Sequence, residues 1–233
     1  MDKIQSIEKL FFLIVTYSYL ILPVLFLIFF RKTRNPIVIA LYGIVFFILL
    51  VLSNSIPNNS FQLQKLFSNL YTLLEYLFFS ILILVEIKNI KTKKLILFLS
   101  VGFVVFQTIY FLTYHQPKLD AVPIGVETIL LFIFIFLFFY QFIKSSEPEF
   151  VYNHPCFWIS VGILIYLGGT FFFNILANHI SSEQIDKYWF LTYIADIIKN
   201  LLFALALFMY KRQPIINFKT EKIPDLDFNL HNQ

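Results

Sequence analysis

Four ionisable side chains lie inside stretches of this chain that are otherwise apolar: Glu75, Glu127, Asp196 and Lys199. A charge within the hydrocarbon of a bilayer is energetically expensive unless it is paired, protonated or hydrated. If all four groups are ionised, three carboxylates face one ammonium, and the set carries a net charge of −2. A proton taken up by a carboxyl, or a bound cation, corrects this imbalance. The four residues therefore predict a polar site for a small cationic or amine ligand, or for a proton.

Smaller polar side chains recur on the same helical faces as these charges, at spacings of three and four residues. The three stripes consist of Ser68, Thr72 and Glu75; of Tyr166, Thr170 and Asn174; and of Tyr193, Asp196 and Asn200, with Lys199 at the border of the last. We expect the stripes to converge inside a helical bundle, because polar groups that face lipid stay unsatisfied. The predicted ligand- or proton-binding residues are Glu75, Asp196, Lys199, Asn200, Glu127, Thr72, Tyr193, Thr170 and Asn174.

The same residues also have structural interpretations. Asp196 and Lys199, at positions i and i+3, can neutralise each other, while Glu75 bonds to a Tyr or Ser and fixes helix packing. Glu127 can be a carboxylate stabilised by the positive end of a helix dipole. The stripe around Thr170 can provide interhelical hydrogen bonds rather than ligand contacts.

The composition places the chain among integral membrane proteins of the all-α class. Hydrophobic residues make up 59% of the chain and charged residues 14%, and the mean hydropathy is +0.77. A soluble domain of 233 residues does not have this composition. No polar segment is long enough for a second domain, so we predict one unit whose main surroundings are the lipid bilayer.

Seven apolar runs are long enough to cross about 30 Å of hydrocarbon as helices. The predicted spans are residues 9–30, 36–53, 66–87, 95–114, 123–143, 156–178 and 188–210. Pro36, Pro123 and Pro155 lie at or just before helix starts, where the missing N–H is harmless. We predict a seven-transmembrane-helix bundle formed by residues 1–210, followed by a short tail at 211–233.

The distribution of Lys and Arg between loops predicts the orientation of the bundle. Twelve of these residues fall on one side, in the loops after the first, third and fifth spans and in the tail, and five fall on the other. The N-terminus is therefore predicted outside and the C-terminal tail in the cytoplasm. Glu75, Glu127, Asp196 and Lys199 then lie in the outer half of the membrane or near its midplane.

The chain lacks the residues that several kinds of chemistry require. The chain has no Gly-rich phosphate loop, no Ser nucleophile elbow and no paired aspartates of the intramembrane-protease kind, so we predict no enzyme and no catalytic residue. No His falls within a predicted span, and His115, His179, Glu183 and Asp186 lack a fixed metal-ligand spacing, so no metal site is predicted. The basic inner loops are typical of topology determinants and anionic-lipid contacts rather than of nucleic-acid surfaces.

The layout of spans and charges resembles that of microbial rhodopsins. Lys199 lies on the seventh span near Asp196, and Glu75 lies on the third. This resemblance implies retinal bound to Lys199 with carboxylates as counterions. The chain departs from the family pattern in three respects: Asp196 precedes the lysine by three residues rather than four, the third span has no Arg, and Trp158 is the only Trp on the sixth.

A second resemblance rests on the Phe-, Ile-, Asn- and Lys-rich composition and on the segment from Leu74 to Phe79. In both respects the chain is similar to short multi-span proteins, without an assigned activity, of Bacteroidota-like bacteria. The resemblance implies a bacterial cytoplasmic (inner) membrane as the location and implies no particular activity.

Two function classes fit these residues. In the first, the protein is a receptor-like sensor whose outward-facing pocket binds the ligand, and it signals through a membrane or cytoplasmic partner. In the second, it is a small proton- or cation-coupled transporter that works through Glu75 and Asp196, although no three-plus-three repeat is visible. A structural or assembly subunit is the third alternative. None of these functions requires a cofactor.

Overall fold

The computed structural model describes residues 2–29, 34–56, 61–113, 121–144, 151–177 and 188–212, without the side chains of 2–8, 34–35, 61, 121, 174–177 and 212. Within these ranges the chain forms seven long α-helices, one 3₁₀ turn at Val151–Asn153 and no β-strand. The helices are α1 (Asp2–Phe29), α2 (Arg34–Ser53), α3 (Phe61–Glu86), α4 (Ile90–Thr113), α5 (Ala121–Lys144), α6 (Pro155–Ala177) and α7 (Phe190–Arg212).

All seven helices are long and apolar enough to cross a membrane. Each contains an apolar stretch of 18 to 25 residues, and each overlaps one predicted span. The prediction of an all-α protein is confirmed for the described part of the chain, as is the prediction of seven helices long and apolar enough to span a membrane. Residues 213–233 of the predicted tail lie outside the described residues, as do the span ends Phe30, Tyr114 and Asn178.

The outer surface of the bundle is apolar. Large hydrophobic side chains are exposed around its circumference, including Leu27 at 74%, Phe98 at 76% and Ile143 at 78%. Every helix exposes large apolar side chains, as is expected where the surroundings are lipid. A set of polar and charged side chains, including Glu75, Glu127, Asp196 and Lys199, is nevertheless buried inside the bundle.

Helix α3 occupies the centre of the bundle, where it packs against α2, α4, α5 and α6. Helix α7 packs along α6 on one side and α1 on the other, and α1 packs along α2. Helix α4 lies at the edge, and its buried residues Ile96, Phe103 and Gln107 form one stripe. The central position of α3 brings Glu75 within reach of residues on several other helices.

Helices α1 and α2 approach closely at Gly43. A Cβ atom at this position would lie 2.6 Å from the carbonyl oxygen of Tyr19 and 2.9 Å from Cδ of Pro23. Pro23 has no N–H, so it cannot donate the intrahelical hydrogen bond that the Tyr19 carbonyl would otherwise accept. The backbone of α2 therefore packs directly over the point in α1 where Tyr19 turns inward.

Helices α6 and α7 are also in close contact, through small residues. A Cβ atom at Gly169 would lie 3.3 Å from Cβ of Ala195, and one at Gly162 would lie 3.4 Å from the carbonyl oxygen of Lys199. Small residues at a helix interface let the two backbones approach. This approach places Tyr166, which lies between the two glycines on α6, against Lys199 of α7.

Candidate functional site

A cavity of about 300 Å³ lies at the end of the bundle where α3, α5 and α7 begin. Residues from α1, α2, α3, α5, α6 and the start of α7 line it. The polar stripe of α3 faces it along its length, because Ser68, Thr72 and Glu75 all belong to the lining. The cavity is therefore surrounded by nearly the whole bundle.

Three carboxyl groups from three different helices line this cavity. Glu75 of α3, Glu127 of α5 and Asp196 of α7 are exposed by 5%, 2% and 6%, respectively. Glu127 is the seventh residue of α5, and the first turn of that helix contains no acidic residue. The interpretation of Glu127 as a carboxylate at a helix N-terminus is therefore wrong, because the dipole effect is confined to the first turn.

Aromatic side chains form much of the remaining wall. They come from α1, α3, α6 and α7 and from the residues just before α7, and they are Phe12, Tyr71, Tyr166, Phe173, Trp189 and Tyr193. The rings of Phe12 and Tyr193 are 6.1 Å apart, and those of Phe173 and Trp189 are 5.5 Å apart. Aromatic faces attract cations through their quadrupole, so the wall and the carboxyls favour the same kind of ligand.

Lys199 lies beneath the cavity and does not line it. Its side chain is completely buried, and its Nζ atom is 2.5 Å from Oδ1 of Asp196 and 3.8 Å from Oε1 of Glu75. The same Nζ atom is 3.7 Å from the centroid of the Tyr166 ring. Lys199 thus holds two of the three carboxyl-bearing side chains at the floor of the cavity.

Tyr19 and Tyr166 connect the floor to the helices opposite. The Tyr19 hydroxyl donates to Oδ1 of Asp196 at 2.7 Å and accepts a hydrogen bond from Nζ of Lys199 at 3.2 Å. The Tyr166 hydroxyl donates to Oε2 of Glu75 at 3.1 Å. Helices α1, α3, α6 and α7 therefore meet in one hydrogen-bonded network.

Two completely buried carboxyl oxygens of the cavity remain without a hydrogen-bond donor after these contacts are made. They are Oε1 of Glu75, whose contact with Nζ of Lys199 at 3.8 Å is beyond hydrogen-bond distance, and Oε1 of Glu127; neither oxygen has a hydrogen-bond partner in the described part of the chain. The Nζ atom of Lys199 lies 1.3 Å closer to Oδ1 of Asp196 than to Oε1 of Glu75, so its main ion-pair partner is Asp196. Buried acceptors without donors are uncommon in folded proteins, and here both residues line the same cavity.

Six of the nine residues predicted to bind a ligand or proton are brought together by the fold. Glu75, Glu127, Asp196, Thr72, Tyr193 and Thr170 all line the cavity. Lys199 and Asn200 lie below it, and Asn200 instead donates through Nδ2 to Oγ of Ser18 at 2.7 Å. The side chain of Asn174 lies outside the described residues.

Some contacts correspond to the structural interpretation of the same residues. Asp196 and Lys199 do pair, Glu75 does accept a hydrogen bond from a tyrosine, and Thr170 bonds through Oγ1 to the carbonyl of Tyr166 in its own helix. These contacts account for one ammonium and two carboxyls. They leave Oε1 of Glu127 without a hydrogen-bond partner, and Oε1 of Glu75 with only the 3.8 Å ion-pair contact to Lys199.

Several residues of the site are not among the nine that the sequence predicts. Tyr19, Tyr71 and Trp189 were absent from the predicted set although Tyr19 completes the floor and the other two line the cavity. A buried Tyr hydroxyl needs a hydrogen-bond partner, so tyrosines in apolar spans are a signal that could have found Tyr19. No comparable signal separates Trp189 from an aromatic residue at a membrane interface.

No cluster of three or more His, Cys, Asp or Glu side chains suited to a metal ion occurs within the described ranges. His115, His179, Glu183 and Asp186 lie outside these ranges. The chain matches no known protein family, no curated protein and no solved structure. The chemistry of the cavity is therefore the basis on which a function can be proposed.

Proposed function

We propose that this protein is a receptor-like membrane sensor that binds a small organic cation, a protonated amine or a quaternary ammonium, in the cavity described above. The single observation that carries the proposal is the pair of donor-free oxygens on Glu75 and Glu127 beside an aromatic wall. A cation placed between them neutralises charge that Lys199 leaves uncompensated.

The charge of the site supports a cationic ligand rather than an anion or a neutral sugar. Three carboxyls line the cavity, whereas the ammonium of Lys199 lies beneath it in contact with Asp196. An anion would meet like charge, and burying a charge next to another of the same sign is unfavourable. A cation can also take the place of a proton on Glu127.

The aromatic wall favours an organic cation over a metal ion. Rings such as those of Trp189, Tyr193 and Tyr71 bind a diffuse ammonium with about 0.5 to 2 kcal/mol per contact, depending on desolvation. Hard metal ions such as Ca²⁺ and Mg²⁺ prefer oxygen ligands throughout their coordination shell, and the ring faces of this wall do not supply them. Alkylated ammonium ions gain binding free energy from contacts with both the rings and the carboxyls.

The packing beneath the cavity favours a sensor over a transporter. Lys199, Tyr42, Phe79 and Phe203 are each completely buried directly below or beside the floor, and the Lys199 Nζ atom lies 5.2 Å from the Tyr42 ring and 5.6 Å from the Phe79 ring. A cation that moved on from the cavity would meet both this packing and the charge of Lys199. A transport path through the bundle would require rearrangement of the whole layer.

A second polar cluster at the opposite end of the bundle gives a sensor a place for output. The Tyr210 hydroxyl donates to Oε1 of Glu86 at 2.6 Å, and Nε2 of His154 lies 3.7 Å from Oε2 of the same residue. These residues lie at the end of α3, before α6 and near the end of α7, so the helices that supply Glu75 and Asp196 to the cavity also form this cluster. A shift of α3 or α7 on ligand binding would change the contacts of Glu86 with Tyr210 and His154.

The proposal includes an orientation and a location. The excess of Lys and Arg in the loops after α1, α3 and α5 supports a cytoplasmic position for the Glu86 cluster and an external opening for the cavity. We place the protein in a bacterial cytoplasmic membrane on the composition of the chain. A membrane or cytoplasmic partner would receive the signal.

Thermal unfolding of the detergent-purified protein in the presence of amines, quaternary ammonium ions, divalent metal ions and neutral analogues tests the proposal. A ligand that binds only the folded state raises the unfolding temperature, and the stabilisation grows with the logarithm of the ligand concentration above its Kd. We expect stabilisation by alkylated ammonium ions, lost in Glu75→Gln and Glu127→Gln and retained in the control Glu86→Gln on the same helix as Glu75. Metal-only stabilisation, or no stabilisation by any cation, would contradict the proposal.

Transport is tested separately with protein reconstituted into liposomes. We expect the cation that stabilises the protein to bind without accumulating inside the vesicles. Accumulation that depends on Glu75 and Asp196 would establish the transporter and remove the sensor proposal.

A further inference from the structure

A second cavity, of about 290 Å³, lies between α2 and α3 beside the first. The two cavities share four lining residues, Leu50, Ser53, Ser68 and Tyr71. They are therefore adjacent compartments with one common wall, rather than separate sites on different faces of the bundle.

The two compartments differ in chemistry. All three carboxyls line the first, whereas the second has no charged residue among its described lining residues. Beyond the common wall the second compartment is formed by Leu49, Ile56, Phe67 and Gln64. One compartment is thus acidic and aromatic, and its neighbour is mainly aliphatic and aromatic.

We propose that the ligand is an amphiphilic cation whose ammonium head occupies the acidic cavity and whose apolar tail enters the α2–α3 cavity past Tyr71. This inference rests on the proposed function, since it assumes a cation in the first cavity. The polarity of each compartment matches one end of such a molecule. The two cavities meet at Leu50, Ser53, Ser68 and Tyr71, so a molecule that extends past Tyr71 reaches from one into the other.

The position of Tyr71 fits a boundary between the two ends of the ligand. Its ring packs edge-on against Phe46 at 4.9 Å, on the side toward the core, and it lines both cavities. An aromatic ring in this position can contact an ammonium with its face and an alkyl chain along its edge. A small cation without a tail leaves the second compartment unused.

Trimethylammonium ions with methyl, butyl, hexyl and octyl as the fourth substituent test this inference by equilibrium binding to the purified protein, below the micelle-forming concentration of each ion. Burial of a methylene contributes about 0.8 kcal/mol, or roughly a fourfold increase in affinity. We expect affinity to rise with chain length until the second compartment is full. We expect Ile56→Trp to remove this increase without changing the affinity for tetramethylammonium.

Phe67→Ala provides a change in the opposite direction. It enlarges the second compartment, so the affinity should continue to rise to longer chains than in the unaltered protein. These two variants separate tail binding in the protein from partition into detergent, because detergent is common to all the measurements.

The outcomes distinguish the two proposals. Tetramethylammonium binding that depends on Glu75, together with no chain-length effect or one unchanged by Ile56→Trp, would overturn the tail site and leave the proposed function standing. If no member of the series binds in a Glu75-dependent manner, both proposals are wrong. A fold check by the thermal transition of each variant in the absence of ligand accompanies every measurement.

Discussion

The hydroxyl of Tyr19 donates a hydrogen bond of 2.7 Å to Oδ1 of Asp196, although the two residues are 177 positions apart in the chain. This bond joins the first and last helices of the bundle at the floor of the acidic cavity. The same hydroxyl accepts from Lys199, so it orients both members of the ion pair.

Replacement of Tyr19 by Phe should destabilise the protein by about 1.5 to 3 kcal/mol, the usual range for hydrogen bonds to charged groups. The ring is retained, so packing changes little and the loss reports on the hydroxyl. Tyr17→Phe is the matched control, because Tyr17 is on the same helix but is 61% exposed. Denaturant unfolding in detergent measures both, and equal stability of the two variants would contradict the role assigned to Tyr19.

Lys199→Met should destabilise more strongly, by about 3 to 5 kcal/mol, because it leaves buried carboxylates without their cation. The double variant Lys199→Met with Asp196→Asn should recover part of this loss, since the carboxylate in closest contact with the lysine is also removed. Unfolding free energies of both single variants and the double variant form the cycle that measures the coupling. If the losses of unfolding free energy in the two single variants add up to the loss in the double variant, Lys199 and Asp196 do not interact.

The close approach of α1 and α2 at Gly43 predicts a steric effect. Gly43→Ala should cost about 1 to 3 kcal/mol, the range for overpacking, because the added methyl group meets backbone rather than a movable side chain. Gly102→Ala, where the added methyl group meets nothing within 4 Å, should be neutral or stabilising by up to about 1 kcal/mol. Similar thermal transitions for the two variants would argue against this contact.

Cys156 is the one cysteine of the chain and is completely buried near the start of α6. We expect a membrane-permeant maleimide to label it only when the protein unfolds. Cys156→Ser with Ser55→Cys is the control, because Ser55 is exposed and the new thiol should react in the folded protein. Rapid labelling of Cys156 under native conditions would contradict its burial.

Much of the scaffold was predictable from the sequence, because apolar length and helical period are local properties. The α3 stripe is an example: the spacing of Ser68, Thr72 and Glu75 places them on one face in any α-helix, and all three line the cavity. The pairing of Asp196 with Lys199 follows in the same way from their spacing of three residues.

The relative depth and rotation of helices were not predictable in this way. Lys199 lies about 4.5 Å further along α7 than Asp196, which is enough to place it below the cavity rather than in its wall. The contribution of Tyr19 depends on the approach of α1 and α2 at Gly43 and on the contact of α1 with α7. Such contacts depend on packing between segments that are distant in sequence. The hydropathy pattern of a single segment does not predict them.

Calorimetric titration of the purified protein with choline, and with 3,3-dimethylbutan-1-ol as its uncharged analogue of similar shape, tests the central claim most directly. We predict saturable binding of choline, no binding of the alcohol, and loss of the choline signal in Glu127→Gln but not in Glu86→Gln. Equal binding of the charged and uncharged compounds, or choline binding that is unchanged in Glu127→Gln, would contradict a cation site formed by Glu75 and Glu127 in this cavity.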